Sequence, residues 1–204
     1  MGATTAPETN YLNIEGFMAD IKPSGRLLRL FSVPFAMVRG VIDSESQTEI
    51  ARWVQDERLR TPGITVSNLG GWHSTSDLPI RGEAALNRLF NAMQDHLQHV
   101  VQTMGDTPQP WHIQAWATVM CQGASTQIHD HVPADWSAVF YVDAGDPSVG
   151  GELFFCDPAQ ARGRMERWIP ETGQLLLFPG WLKHGVEPYW GQRPRIAIAA
   201  NFQV

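Results

Sequence analysis

The residues best suited to chemistry are His129 and His131, in the run Gln127-Ile128-His129-Asp130-His131, together with His184 and Arg195. On a β-strand, residues i and i+2 project from one face with Cα atoms roughly 7 Å apart, so two imidazoles at this spacing can converge on one cation. A third donor has to arrive from another strand, and His184, within Phe178-Pro179-Gly180-Trp181-Leu182-Lys183-His184, is the best candidate. Taken alone, a His-x-His pair is more often a satisfied pair in a sheet than a metal site, and this one draws its weight from its surroundings. His96 and His99 fall on a helical stretch and are expected to face solvent. His73 and His112 have no partner at ligand spacing, so all four are left outside the metal site.

Arg195 follows in Arg193-Pro194-Arg195-Ile196-Ala197-Ile198-Ala199. Alternation puts Ile196 and Ile198 on one face and Arg195 with Ala197 on the other, which sets a guanidinium among small side chains. A guanidinium inside a β-fold is costly unless it meets an anion, and its planar fork suits a carboxylate. A surface salt bridge accounts for the segment equally well. Arg193, next to a proline, is expected to face solvent.

These residues need strands to carry them. From Trp111 onward the hydrophobic period is two, and strands are predicted near 111–121, 125–131, 136–143, 151–156, 173–178, 182–188 and 194–202, divided by turn clusters such as DAGDPSVGG. Short strands without intervening helices favour a sandwich or barrel over a parallel sheet. Upstream, Leu27 to Val41 reads as an edge strand interrupted at Pro34. Ser44-x-x-Gln47 resembles a capping box opening a helix that runs to about Arg60. Leu86, Leu89, Phe90, Met93, Leu97, Val100, Val101 and Met104 keep a helical rhythm that stops at Gly105. The architecture is mainly β with two supporting α-helices. Residues 1–22 read as a polar N-terminal tail and 23–204 as a single domain.

The formal charge of −6 offers no basic field for phosphates, so no nucleic-acid partner is expected. Neither a leader-like N-terminus nor a run near the roughly 18 apolar residues of a membrane span is evident, so the expectation is a soluble, cytoplasmic protein without a membrane partner. Cys121 and Cys156 form no CxxC pair and read as reduced core residues.

The motifs GWHS at 71–74, HDHVPADWSAVFYV at 129–142, GGELFFCDP at 150–158, GQLLLFPGWLKHGVEP at 173–188 and RPRIAIAANF at 193–202 resemble, in order and spacing, the Fe(II)/2-oxoglutarate-dependent oxygenases, and in particular a bacterial and phage branch of that superfamily. The resemblance covers most of the chain from about residue 24. It implies a double-stranded β-helix, the cupin-like jelly roll, holding iron(II) and 2-oxoglutarate, with dioxygen and a small-molecule or amino-acid-like substrate as partners. It maps the metal ligands to His129, His131 and His184, the anchor for the distal carboxylate of 2-oxoglutarate to Arg195, and a supporting cosubstrate contact to Tyr141. Trp116 and Ser137 match the pattern less decisively.

The chain departs from the wider superfamily at one ligand. That superfamily has His-x-Asp where this sequence has His129-x-His131, which leaves the site one negative charge poorer. Asp130 would point to the opposite face of a regular strand, unless a bulge turned it inward in place of His131. Trp136, Trp181 and Trp190 stand close to the ligands in sequence and are candidate cavity walls. The loop 157–170, with Arg162, Arg164 and Arg167, is a candidate clamp for an acidic substrate or else a solvated loop. Two other functions fit the same residues: a three-histidine cupin that uses no 2-oxoglutarate, and a non-catalytic β-sandwich whose histidines never meet.

Overall fold

In a computed structural model of the protein, the described residues are 32–159 and 165–204, with the backbone of 20–21 and 25–26. The tail read at residues 1–22 lies outside them except for Asp20–Ile21. The chain divides into two compact units, Met1–Val33 and Pro34–Val204. In the first, β1 (Asp20–Ile21) pairs antiparallel with β2 (Gly25–Arg26).

The second unit carries the rest: β3 (Ala36–Val38), α1 (Ser44–Arg60), β4 (Asn68–Leu69), β5 (Trp72–His73), α2 (Ala84–Thr103), β6 (His112–Met120), β7 (Ser125–His129), β8 (Trp136–Asp143), β9 (Leu153–Cys156), β10 (Met165–Trp168), β11 (Leu175–Pro179), β12 (His184–Val186) and β13 (Arg195–Gln203). They form a six-stranded sheet in the order β3-β11-β8-β13-β6-β5 and a five-stranded sheet in the order β10-β9-β12-β7-β4. Their strand pairs are antiparallel. This is the double-stranded β-helix with two helices that the sequence implied.

The period-two pattern explains how the large sheet serves two purposes. Ala115, Ala117 and Val119 of β6, Phe140 and Val142 of β8, and Ile196, Ile198, Ala200 and Phe202 of β13 join one buried cluster with Ile50 and Val54 of α1 and Leu86, Leu89, Phe90, Met93 and Leu97 of α2. Each large aliphatic or aromatic side chain taken fully out of water contributes about 1.5–3 kcal/mol, so this helix-backed face is the main source of stability. The alternate residues, Trp116, Thr118, Tyr141, Arg195, Ala197, Ala199 and Asn201, line the space between the sheets. The expected division of Ile196 and Ile198 from Arg195 and Ala197 is what the fold builds.

The start of α1 differs by one residue from the sequence reading. Asp43 caps it, its carboxylate accepting from Ser46 N at 2.7 Å, because a carboxylate is a stronger acceptor than the Ser44 hydroxyl. Gln47 Nε2 donates instead to Val142 O at 2.9 Å and ties the helix to the sheet. β3, Ala36–Val38, is an edge strand as expected, and residues 27–31 of the expected strand lie outside the described residues. The short strands β4 and β5 lie in the Gly-rich stretch, where two residues give no period to read. Gly71, at φ +70°, lets that segment close on β6: a Cβ there would sit 2.6 Å from Val119 O. Among the described residues no helix is long and apolar enough to cross a membrane. Both cysteines are half-buried and unpaired.

Candidate metal centre

β7 and β12 are neighbours, and their register sets His184 directly opposite His129. Cross-strand partners have Cβ atoms about 5 Å apart, so pairing alone delivers the third imidazole to the His-x-His pair. The ring centroids are 4.9 Å apart for His129 and His131, 4.5 Å for His129 and His184, and 5.0 Å for His131 and His184. One nitrogen from each ring lies within 4.8 Å of the other two, the spacing of donors around a single cation. Asp130 is not part of this group; its carboxylate accepts from Val132 N at 3.3 Å.

His131 and His184 are held in the protonation state a metal requires. Burial holds His131 down at about 3, with His184 and His129 adding to the effect, and burial chiefly holds His184 down at about 4. Both are therefore neutral at pH 7. His129 Nδ1 donates to Gln127 O and His184 Nδ1 to Leu182 O, each at 2.8 Å. A carbonyl can only accept, so Nδ1 carries the hydrogen in both rings, and the neutral His184 ring keeps its lone pair on Nε2. His131 differs: its Nδ1 faces Asn201 Nδ2 at 3.4 Å, and the Asn201 Oδ1 accepts from Ser137 Oγ at 3.0 Å.

Beside the imidazoles, Arg195 is 3% exposed and Tyr141 fully buried. Arg195 Nη1 donates to Gly151 O, and its Cζ lies 4.9 Å from the centroid of the Tyr141 ring. Arg195 Nε and Tyr141 Oη are buried without a hydrogen-bond partner. Burial pulls the guanidinium below its ordinary range and pushes the phenol above its own. A buried cation with an orphan N–H next to an orphan hydroxyl favours an acceptor that meets both, and a carboxylate has the two oxygens to do so.

These groups share a cavity of about 590 Å³, within the range of small-molecule sites. Its aromatic wall is not the one read from sequence. Trp136 sits in the helix-side cluster, and Trp181 and Trp190 are 47% and 56% exposed. Trp72 and Trp116 line the cavity instead, because Trp116 falls on the inward register of β6. His73, left out of the site by spacing, is buried beside it: its ring stacks on Trp116 at 5.7 Å with 13° between planes, and Trp116 lies 5.4 Å from His131. Its Nδ1 donates to Ser74 O at 2.6 Å, and burial lowers its pKa. Its strand of two residues gave no signal from which this placement could be read. His96, His99 and His112 stay outside the cavity lining. The proposed arginine clamp is not supported where it is described. Residues 165–168 form β10 at the far edge of the small sheet, and Arg167 there pairs with Glu187 at 2.9 Å. Arg162 and Arg164 lie outside the described residues.

Residues 114–201, which carry the three imidazoles, Arg195 and Tyr141, match the family model described as "Putative 2OG-Fe(II) oxygenase". No curated protein matches the sequence. Among solved structures, a Pseudomonas putida prolyl-4-hydroxylase aligns with a TM-score of 0.65 at 19% identity, over 84% of this chain and 93% of that one. HygX of Streptomyces hygroscopicus, solved with nickel and 2-oxoglutarate bound, aligns at 0.62 and 13% identity, over 84% and 83%. SnoN, a non-heme α-ketoglutarate-dependent epimerase of nogalamycin biosynthesis, aligns at 0.67 and 10% identity, over 84% and 78%. The resemblance to the Fe(II)/2-oxoglutarate oxygenases thus holds in the family model and in the jelly-roll fold.

Proposed function

We propose that this chain, a member of the Fe(II)/2-oxoglutarate oxygenases through its segment 114–201, uses the unit Pro34–Val204 to oxidise a small-molecule or amino-acid-like substrate with dioxygen, hydroxylation being the outcome we favour. His129, His131 and His184 would hold the iron(II), and Arg195 with Tyr141 would hold the distal carboxylate of 2-oxoglutarate. When bound, iron(II) and 2-oxoglutarate supply the activation of dioxygen, coupled to loss of carbon dioxide from the cosubstrate.

The protein's own part is positioning and exclusion of water. Pairing of β7 with β12 fixes two imidazoles, and the Nδ1–H bonds to backbone carbonyls orient their rings. Arg195 and Tyr141, buried on adjacent strands, each keep an unpartnered donor atom, and together these would orient a dicarboxylate. Trp72, Trp116 and His73 line the same cavity, and their flat faces would suit a compact, partly apolar substrate. The observation that carries this reading is the orphaned pair Arg195 Nε and Tyr141 Oη beside three converging imidazoles. A cupin that bound metal without a dicarboxylate would have no use for that pair.

The test is an anaerobic titration of 2-oxoglutarate into iron(II)-loaded protein. A weak visible metal-to-ligand charge-transfer band that saturates supports the proposal. Iron binding without the band would select the plain metalloprotein, and absence of any metal binding would leave a non-catalytic sandwich.

A further inference from the structure

The three imidazoles are not oriented alike. His129 and His184 each face a backbone carbonyl two residues back, which fixes the proton on Nδ1. His131 lies past the end of β7, and its Nδ1 meets a side-chain amide instead, that of Asn201 on β13. An amide has two unlike ends, so the ring's tautomer depends on which end faces it. With Nδ2 toward the ring, Nδ1 must accept, the proton of the neutral ring goes to Nε2, and that nitrogen has no lone pair for a cation. With Oδ1 toward the ring, Nδ1–H donates and Nε2 is free.

Resting on the metal-centre reading above, we propose that Asn201 is a positioning residue for the metal and that its amide is turned end for end from the orientation given above: its Oδ1 accepts from His131 Nδ1–H, its Nδ2 donates to Ser137 Oγ, and His131 binds through Nε2. The backbone supports the arrangement. Asn201 belongs to the inward set of β13 with Ala197 and Ala199, and the register of β13 on β8 sets it opposite Ser137. Ser137 is 1% exposed, so its hydroxyl, able to donate or accept, meets the amide within the protein rather than in water. The relay replaces what the backbone does for the other two rings, at the ligand position where this chain departs from His-x-Asp. A carboxylate ligand there has no tautomer to set; an imidazole does.

The experiment uses the full chain, ¹⁵N-labelled at histidine, with cobalt(II) alone as the probe. In the metal-free protein the expected ¹⁵N shifts of His131 are those of the Nδ1–H tautomer. Asn201→Asp offers only acceptors and should keep that tautomer and bind cobalt(II) at wild-type strength or tighter. Asn201→Leu should weaken cobalt(II) by about 10- to 100-fold, the usual cost of losing a partner behind a ligating histidine. Should Asn201→Leu fail to fold, Ser137→Ala carries the test, with weaker cobalt(II) binding and a mixed His131 tautomer expected. An Nε2–H tautomer in the wild type, unchanged affinity in Asn201→Leu or Ser137→Ala, or equal losses in Asn201→Asp and Asn201→Leu would each overturn the proposal. Wild-type protein that binds no cobalt(II) would remove the metal centre itself, a distinct failure.

Discussion

Replacing Arg195 with alanine separates the two halves of the site. The guanidinium is 3% exposed, one of its donors is committed to Gly151 O, and its Nε has no partner. A carboxylate bound there would be a buried anion neutralised by one buried cation. Removing one partner of such a pair costs about 3–5 kcal/mol. At about 1.4 kcal/mol per tenfold in affinity, that is a loss of roughly two to three and a half orders of magnitude for 2-oxoglutarate. The Gly151 carbonyl loses its donor in free and bound protein alike, so this term drops out of the ratio. Iron(II) should bind as in the wild type, because Arg195 contributes no atom to the imidazole group. Arg195→Lys, which keeps the charge and loses the fork, should fall between the two. The assay is the anaerobic charge-transfer titration, run beside iron retention on desalting. Near wild-type affinity for 2-oxoglutarate in Arg195→Ala, or parallel loss of iron and cosubstrate, would refute the assignment.

Three further outcomes follow from the same geometry. His184→Ala should abolish iron retention, and a variant holding stoichiometric iron would place the third donor elsewhere. Gly151→Ala should lower the melting temperature and weaken 2-oxoglutarate, since at φ +82° the new Cβ would stand 2.9 Å from Arg195 Nη1 and 3.0 Å from Tyr189 Cδ2; wild-type melting and affinity would show that Arg195 tolerates displacement. In the metal-free protein, His131 at about 3 and His184 at about 4 lie below the unfolded value of 6.5. The unfolded chain therefore binds more protons through that window, so stability should fall as pH drops from about 6.5 toward 4 and be unaffected by these groups above it. Thermal melts across pH for the wild type and for His131→Gln check this, the variant being expected to show a shallower slope.

The sequence was most informative where a strand has a long, clean period. Trp136–Asp143 and Arg195–Gln203 are close to the readings of 136–143 and 194–202, because a sheet covered by helices on one face and by a cavity on the other imposes strict alternation. The same alternation put Arg195 on the inward face of its strand. It was silent at Trp72–His73 and at Met165–Trp168, where the segments are too short for a period, and there His73 was missed and Arg167 was read as lying in a loop, a candidate clamp or else solvated, rather than in a strand.

What the sequence determined by itself was which side chains share a face of one strand, since that follows from a backbone repeat of two residues: His129 with His131, and Arg195 with Ala197. Only the tertiary structure decided which faces meet. The register of β12 on β7 brings His184 to His129, the inward register of β6 selects Trp116 over Trp136, Trp181 and Trp190 as wall, and the approach of β13 to β8 gives His131 an amide partner rather than a carbonyl. These are pairings between residues far apart in the chain, fixed by cooperative burial of the whole sheet, and no local pattern encodes them.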